Sequence, residues 1–379
     1  MIKGVFYFMS KPNIKRQLGL LYISNFLFNI PIAGAAWVLL LVSDGYSLIQ
    51  VGFAETVFHI TSLICEIPSG MMADVYGRKK MLALGNIMAF IGCLITAVSE
   101  NFTVACMAMP FYAMAYNFAS GSGEALAYDS MKKVGKEAGF EKYNSNQFII
   151  YRIFNGISTL CAGLALYLGY RKAYFISAAT GLITLFFTLK LVEVRVGEDP
   201  AKDKDVSTKA MAKKLIEYFA ESIRFLFRNP KAAKLMFLNS FVGAIDILLL
   251  FFLQSKIRDA GISNVFLGVA LFTMELGGVV GSKLIVKFKK VKYAYLFIIC
   301  TIGVLAGVVL EHSGIVPIMT LGGFIASLAD DAIEIRTAAK LHDMFPSDQR
   351  ATLVSISSFT FSVIMIVLSP LAGFFFSIW

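Results

Sequence analysis

Charged side chains that could carry protons stand inside long apolar stretches of this sequence. Glu124 and Asp129 end one such stretch, and Arg152 lies inside the next. Because a charge surrounded by lipid is costly unless it is paired, we expect Glu124 or Asp129 to pair with Arg152. Glu124 is the better candidate for proton coupling, since a desolvated carboxylate is driven towards its neutral form. A permanent salt bridge between two helices, with Asp129 solvated near the interface, remains an open alternative.

Later apolar stretches carry more acidic residues. Asp246 and Glu275 lie near the middle of two of them, and would make an interior cavity acidic and suited to a cationic substrate. A third stretch contains a dense group of charges, namely Asp330, Asp331, Glu334, Arg336 and Lys340. We interpret this group as a second gate or a cavity wall. The alternative is that its members pair locally or extend to the membrane surface.

Amides and aromatic rings recur at helical spacing in two stretches. The first set is Asn25, Asn29 and Trp37, and the second is Tyr112, Tyr116 and Asn117. Each set would share one helical face and could line a central substrate pocket. Aromatic residues at this spacing also serve simple helix packing, and that alternative stays open.

The composition identifies the elements that must position these residues. The chain has 379 residues, of which 57% are hydrophobic and 16% charged, and its mean hydropathy is +0.71. These values exclude a water-soluble globular protein. The 34 Phe and 16 Met residues beside only nine Pro favour long apolar helices over a barrel, whose strands would alternate polar and apolar residues. The fold class is therefore an all-α integral membrane protein.

About eleven stretches reach the roughly 20 residues that a spanning helix needs. The first six lie near residues 18–42, 47–72, 81–99, 102–129, 143–169 and 172–192, and five more lie near 232–254, 262–286, 293–310, 314–341 and 347–376. We therefore predict a six-helix bundle over 1–192, a linker over 193–231 and a five-helix bundle over 232–379. Weak matches between the halves, such as 20–26 with 235–241, suggest a repeat whose twelfth helix is missing.

The linker contains its own helical pattern. Residues 209–228 place apolar side chains on one face and charges on the other, which predicts an amphipathic helix on the membrane surface. Ser207 or Thr208 could cap it, and Asn229 with Pro230 would end it. A solvated connector docked on the protein is the other interpretation.

The net charge of +10 follows from membrane topology. Most lysines and arginines fall in segments on the side of the N-terminus, and the opposite side has Arg171, Lys172, Lys256 and Arg258. This asymmetry predicts a cytoplasmic N-terminus in a cell membrane. It also removes the need for a nucleic-acid partner.

The turn between the second and third helices carries a specific motif. Residues 70–80 read G-x-x-x-D-x-x-G-R-K-K, with Gly70, Asp74, Gly77, Arg78 and Lys79 at its defined positions. Gly77 can adopt a left-handed conformation, and Asp74 and Arg78 can pair across the turn. The copy at 281–290 has Ile285 and Phe288 where the acid and the second glycine would stand.

This motif closely resembles the loop signature of the major facilitator superfamily, and the resemblance covers essentially the whole chain. It implies a bacterial transporter of two related bundles, similar to drug/proton antiporters, in which the loop latches the cytoplasmic side against the start of the last helix near Ser347 and Asp348. A merely topogenic loop is the alternative. Two motifs of drug exporters are absent: Asn117 stands where their fourth helix has Arg, and 156–163 lacks their proline–glycine pattern.

We therefore expect alternating-access transport of a small molecule, with proton-coupled export of lipophilic or cationic compounds first, by a monomer. A selective metabolite carrier and an inactive truncated membrane protein are the alternatives. We expect no enzyme, cofactor or metal site, because the three histidines are scattered and the five cysteines lie within apolar stretches without ligand spacing.

Overall fold

The structure is a computed structural model, and it describes residues 13–30, 32–194, 207–288, 290–344 and 350–378. Those residues form helices and their connections and contain no strand, which confirms the all-α class. Within the described residues, the first half contains ten α-helices: α1 Ile14–Phe28, α2 Trp37–Ser43, α3 Leu48–Tyr76, α4 Arg78–Val98, α5 Phe102–Met107, α6 Met109–Ala119, α7 Ser122–Lys133, α8 Phe140–Leu160, α9 Ala162–Leu168 and α10 Tyr170–Leu189. Six follow: α11 Thr208–Arg228, α12 Pro230–Asp259, α13 Asn264–Leu284, α14 Tyr293–Glu311, α15 Val316–Met344 and α16 Arg350–Ile378.

Within the described residues, eight helices are long and apolar enough to cross a membrane, and α8 with α9 can form a ninth, bent span. Besides the fifth, which divides into α8 and α9, two of the predicted spanning helices are broken into shorter pieces. The first is interrupted between Phe28 and Trp37, and the fourth is divided into α5, α6 and α7. The count of about eleven spans therefore stays a prediction, while the multi-pass class is clear.

The breaks in the fourth predicted span have local causes. Pro110 sits in the first turn of α6, where its missing N–H is tolerated, so the chain restarts there after Ala108. Gly121 then adopts φ +68° between α6 and α7, a conformation that other residues resist. Both interruptions lie within one continuous apolar stretch, so the sequence pattern did not predict them.

The linker helix α11 confirms the predicted amphipathic helix and its caps. The Ser207 hydroxyl accepts from the Ala210 N–H at 3.2 Å, and Asn229 follows the last turn before α12 begins at Pro230. Tyr218 of α11 lies between the two halves: its hydroxyl is 3.0 Å from the Ser355 carbonyl of α16 and 3.4 Å from Glu66 of α3. Docking on the protein is thus observed, and contact with the membrane surface stays a prediction.

The two halves meet closely at the end of the molecule opposite α11, which we name the closed end. A Cβ on Gly52 of α3 would overlap the Ser369 carbonyl of α16, and one on Gly268 of α13 would overlap the Leu160 carbonyl of α8. Because glycine lets two backbones touch, these helices seal the molecule there. At the other end, which we name the linker end, a cavity separates the halves.

Candidate transport site

The cavity between the halves has a volume of about 560 Å³ and lies towards the linker end. Helices α3 and α6 of the first half and α12, α15 and α16 of the second supply its walls. Its acidic side chains are Glu66, Asp330 and Glu334, and none of the lining residues that the structure describes is a lysine or an arginine. Hydroxyl and amide groups complete the polar wall, among them Ser62, Asn117, Asn239, Ser240, Thr337, Ser357 and Ser362. We call this space the central cavity.

A second space, the N-half cavity, lies wholly inside the first half and measures about 340 Å³. Its walls come from α1 and α2 with their connection, and from α3, α4, α6 and α10. The lining is largely apolar and aromatic, and Glu55 is its one charged residue among those that the structure describes. Such a pocket can take an apolar ligand, and its carboxylate can fix the orientation of a positive charge.

A contact between a histidine and a carboxylate stands between the two cavities. His59 Nε2 lies 3.4 Å from Glu55 Oε1, one turn away on α3, and both side chains are largely buried. Glu55 lines the N-half cavity and His59 lines the central cavity. His59 Nδ1 is buried without a hydrogen-bond partner. Phe58 and Tyr116 line both spaces, so the cavities adjoin.

The aromatic residues and Asn117 that the sequence assigned to one substrate pocket lie in two different cavities. Trp37, Tyr112 and Tyr116 line the N-half cavity, and Tyr116 with Asn117 lines the central cavity. The Asn117 amide is also a structural tie, since it donates to the Ser62 carbonyl and hydroxyl of α3, each at 3.1 Å.

Asn25 and Asn29 have a different role from the one predicted. The Asn25 amide donates to the Gln147 carbonyl at 3.1 Å and also contacts its side chain, while Asn29 donates to the Asn25 carbonyl at 2.7 Å. Neither residue lines the two cavities. They join α1 to α8.

The predicted partners of Arg152 are arranged differently. Asp129 pairs with Arg78 at the start of α4, and Arg78 also donates to the Ala125 carbonyl at 3.2 Å. Asp129 is therefore an anchor for the α3–α4 turn and not a solvated residue. Glu124 is exposed in the first turn of α7. The side chain of Arg152 lies outside the described residues.

The α3–α4 turn has the expected glycine geometry and an additional anchor. Gly77 adopts φ +102°, as predicted. The backbone N–H groups of Arg78 and Lys79 donate to the two carboxylate oxygens of Glu193, at 3.2 and 2.9 Å. A carboxylate at a helix N-terminus is stabilised by these free N–H groups. The predicted latch partners Ser347 and Asp348 lie outside the described residues, and a Cβ on Gly70 would meet no atom within 4 Å.

The second-half acids gather around α15. Carboxylate oxygens of Asp330, Asp331 and Glu334 all lie within 4.8 Å of one another, and Asp246 of α12 is close enough to interact with Asp330 and Asp331. Arg336 is half-buried two residues further along α15. Glu275 stands apart from this group, because it accepts a hydrogen bond of 2.8 Å from Thr159 of the first half.

Sequence reasoning assigned no site role to three residues of these cavities: Glu55, His59 and Glu66. All three lie on α3 within three turns, so their spacing could have indicated a shared polar stripe. The role of Glu193 was hidden because it lies at the edge of the linker, far along the chain from the motif that it supports.

Comparison with known proteins agrees with this architecture. The chain is 24% identical over 330 residues to the uncharacterised MFS-type transporter YxaM of Bacillus subtilis strain 168, an alignment that covers 85% of this chain and 79% of that protein. Its fold is similar to the nucleoside transporter NupG, in a mutant form, with a TM-score of 0.74 and 14% identity over 94% of this chain and 90% of that one. It is also similar to a bacterial homolog of the human lysosomal transporter Spinster in an inward-facing, unoccupied conformation, with a TM-score of 0.70 and 18% identity over 95% and 82% of the two chains.

The family model described as Major Facilitator Superfamily matches residues 18–329. That match spans the α3–α4 motif, the N-half cavity and Asp246 of α12, and it ends one residue before the acids of α15. Members of this family are membrane carriers and not enzymes, which agrees with a multi-pass protein built around a central cavity. This chain therefore belongs to the Major Facilitator Superfamily of transporters.

Proposed function

We propose that this transporter moves organic cations in exchange for protons and exports them from the cytoplasm. The observation that carries the proposal is the wall of the central cavity, whose described residues include three carboxylates and no lysine or arginine. A cavity of one charge sign inside a membrane attracts ligands of the opposite sign. Protons and cations would compete for the same oxygens, which is the chemical basis of exchange.

The proposed direction depends on the orientation of the chain. The excess of lysine and arginine on the side of the N-terminus supports a cytoplasmic linker end, so the central cavity would open inwards. Alternating access then requires the closed end to separate while the linker end closes around α11. The contacts at Gly52 and Gly268 would be made and broken in each cycle.

The N-half cavity supports a lipophilic substrate. Its aromatic wall can enclose an apolar group, while Glu55 can pair with a positive charge. Since Phe58 and Tyr116 face both cavities, a ligand bound between the halves could place its apolar part in this space.

A selective carrier of a polar metabolite is the second candidate. The hydroxyl and amide groups of the central cavity favour it, because a site that hydrogen-bonds its ligand discriminates strongly between similar molecules. The absence of the two drug-exporter motifs points the same way.

The test uses purified full-length protein in liposomes and a fluorescent lipophilic cation, with an imposed pH gradient. We expect gradient-driven movement in the native chain and a loss of at least about tenfold in Glu66→Gln, since one removed counter-charge costs more than about 1.4 kcal/mol in a desolvated site. Glu124→Gln tests the residue that the sequence favoured for coupling. Glu217→Gln, on the surface of α11, is the control.

Two results would contradict the proposal. Transport that is equally fast with and without the pH gradient would exclude proton exchange as the mechanism. Binding of a neutral lipophilic analogue as tightly as the cation, with no effect of Glu66→Gln, would remove the cation preference and favour the metabolite carrier.

A further inference from the structure

The contact between Glu55 and His59 links the two cavities through one turn of α3. His59 Nε2 lies 3.4 Å from Glu55 Oε1, and the two side chains are 10% and 14% exposed. Residues four apart share one face of a helix, yet these two line different spaces: Glu55 lines the N-half cavity and His59 lines the central cavity. A charge that enters either cavity therefore acts on the same pair.

The second ring nitrogen of the histidine makes this pair sensitive to protonation. His59 Nδ1 is buried and has no hydrogen-bond partner. In a neutral ring, Nδ1 can be the bare nitrogen while Nε2–H donates to Glu55. In a charged ring, Nδ1 carries an N–H without an acceptor, which costs free energy in a buried place, and a charge-assisted bond to Glu55 offsets that cost. Loss of this bond would therefore release the proton.

The other titratable groups around His59 are acids, phenols and a thiol. The nearest ring of the second half is uncharged: Phe361 of α16 packs against the imidazole with a centroid distance of 5.8 Å. Among the described residues that line the two cavities, none is a lysine or an arginine. The titratable groups are Glu55 and Glu66 of α3, Cys93 of α4, Tyr112 and Tyr116 of α6, Tyr174 of α10, Asp330 and Glu334 of α15, and Tyr218 of α11 beside Glu66.

A cation in the N-half cavity would compete with the histidine for one carboxylate. Glu55 is the one charged residue in the described wall of that cavity. With His59 still protonated, two positive charges would adjoin one negative charge, and a net charge away from water is costly. Loss of the proton from His59 restores the balance. Since His59 borders the central cavity, the proton has a path to water.

We propose that Glu55 is the shared counter-charge of the exchange: it pairs in turn with protonated His59 and with the positive centre of the substrate, so that each bound cation expels one proton. One N–H bond of the imidazolium breaks, the nitrogen keeps the electron pair, and water reached through the central cavity takes the proton. Imidazole suits this role because it ordinarily changes charge between pH 5 and pH 8. The inference rests on the proposed exchange of organic cations for protons and names the base and the carboxylate that perform it.

The experiment titrates the purified full-length protein with tetraphenylphosphonium by calorimetry, in buffers with different heats of ionisation, which counts the protons released for each cation bound. Between pH 5 and pH 8 we expect release of up to one proton, and an affinity that rises by up to about tenfold per pH unit. His59→Gln should bind the cation without this release, because glutamine keeps a donor for Glu55 but has no titratable proton. Glu55→Gln should weaken binding at least about tenfold.

A matched control replaces a histidine elsewhere in the chain. His312 is exposed and follows the last residue of α14, and it lines neither of the two cavities. His312→Gln should therefore bind tetraphenylphosphonium and release protons as the native chain does.

A measurement that keeps His59 intact covers the case in which His59→Gln does not fold. The chain has three histidines, so a double variant with His312→Gln and His342→Gln retains His59 alone. Nuclear magnetic resonance of the ¹⁵N-labelled ring reports its charge from pH 5 to pH 8. Saturating tetraphenylphosphonium should move the change from charged to neutral ring to a lower pH, by about one pH unit or more.

The possible outcomes separate this inference from the proposed function. Equal proton release in His59→Gln and in the native chain would overturn the role of His59 and leave cation exchange standing. A His59 ring signal that does not respond to bound cation would do the same. If the native chain binds no tetraphenylphosphonium at any pH from 5 to 8, the exchange of cations is itself overturned, and this inference with it.

Discussion

The two halves of this transporter treat buried polar groups in opposite ways. In the first half, two buried amides are tied between helices, because Asn86 donates to Thr188 at 2.9 Å and Asn117 donates to Ser62, while the Tyr46 hydroxyl and His59 Nδ1 lack a partner. In the second half, Asp246, Asp330 and Glu311 carry buried carboxylate oxygens without partners. Glu311 is fully buried, and both of its oxygens lack a hydrogen bond.

This difference indicates a division of roles. A satisfied polar network fixes helix positions and specifies a single packing, so the first half is suited to be a rigid wall for an apolar cavity. Unsatisfied carboxylates cost free energy unless something arrives to neutralise them. The second half is therefore the part that must respond to a proton or a cation.

The largest expected effects are changes in the free energy of unfolding, and they have opposite signs in the two halves. Glu311→Leu should stabilise the protein by about 1–4 kcal/mol, because it removes an uncompensated buried acid. Asn117→Leu should destabilise it by about 1–3 kcal/mol, because it leaves Ser62 without its partner. Thermal unfolding of the purified variants checks both. Destabilisation by both substitutions would mean that Glu311 has a stabilising partner that outweighs its burial.

Two glycine substitutions, one in each half, test how closely the two halves are packed. Gly278→Ala should cost about 1–3 kcal/mol, since its new methyl group overlaps Asp331. In the first half, Gly181→Ala meets its nearest atom at 3.9 Å, and its effect should stay within about 0.5 kcal/mol. The same unfolding measurement applies, and equal costs would show that the space beside Asp331 is not closely filled.

Tyr218 tests the element that connects the halves. Tyr218→Phe removes the hydroxyl that reaches both α3 and α16 and should weaken the attachment of α11 by about 1 kcal/mol. Hydrogen exchange over 208–228 should become about fivefold faster, while Tyr295→Phe, an exposed ring on α14, should change nothing. No change in Tyr218→Phe would show that apolar contacts alone hold α11.

The attachment of α11 should also be insensitive to pH near neutrality. Burial, together with the nearby Glu66 carboxylate, raises the pKa of Tyr218 well above its usual value. A group with a raised pKa keeps its proton as pH increases through the ordinary range, so the hydroxyl remains a donor. Hydrogen exchange of α11, corrected for the intrinsic rate, should be the same at pH 6 and pH 9, and a marked loss of protection at pH 9 would contradict this.

The smallest effect is expected outside both halves. Lys213 and Glu217 form an exposed pair at 3.8 Å on α11, and Lys213→Ala should change stability by less than about 0.5 kcal/mol. This variant defines the baseline against which the other unfolding shifts are judged. A larger shift would indicate that Lys213 contacts more than Glu217.

Much of the architecture could be predicted from the sequence. The apolar stretches, the amphipathic helix ending at Asn229 and the Gly77 turn follow from local preferences that depend on few neighbours. The interruptions at Ala108 and Gly121 were less visible, because apolar composition alone does not distinguish one long helix from several short ones.

The candidate site could be predicted only in part. Trp37, Tyr112 and Tyr116 line a cavity as expected, and the acids of α15 lie together because they are close in sequence. Asn25 and Asn29 line neither cavity, and the partner of Asn25, Gln147, lies on a helix that the sequence gives no means to orient against α1.

The sequence by itself determined the membrane class, the family and the types of side chain available within the bundle. Only the tertiary structure decided that Asp246 meets Asp330, that Asp129 pairs with Arg78, and that Glu55 and His59 stand between two cavities. The physical reason is that lipid-facing and core-facing positions are both apolar in a membrane helix, so the hydrophobic pattern does not reveal which face points inwards. Helix rotation and pairing, set by close packing at glycines such as Gly268 and Gly278, supply that information.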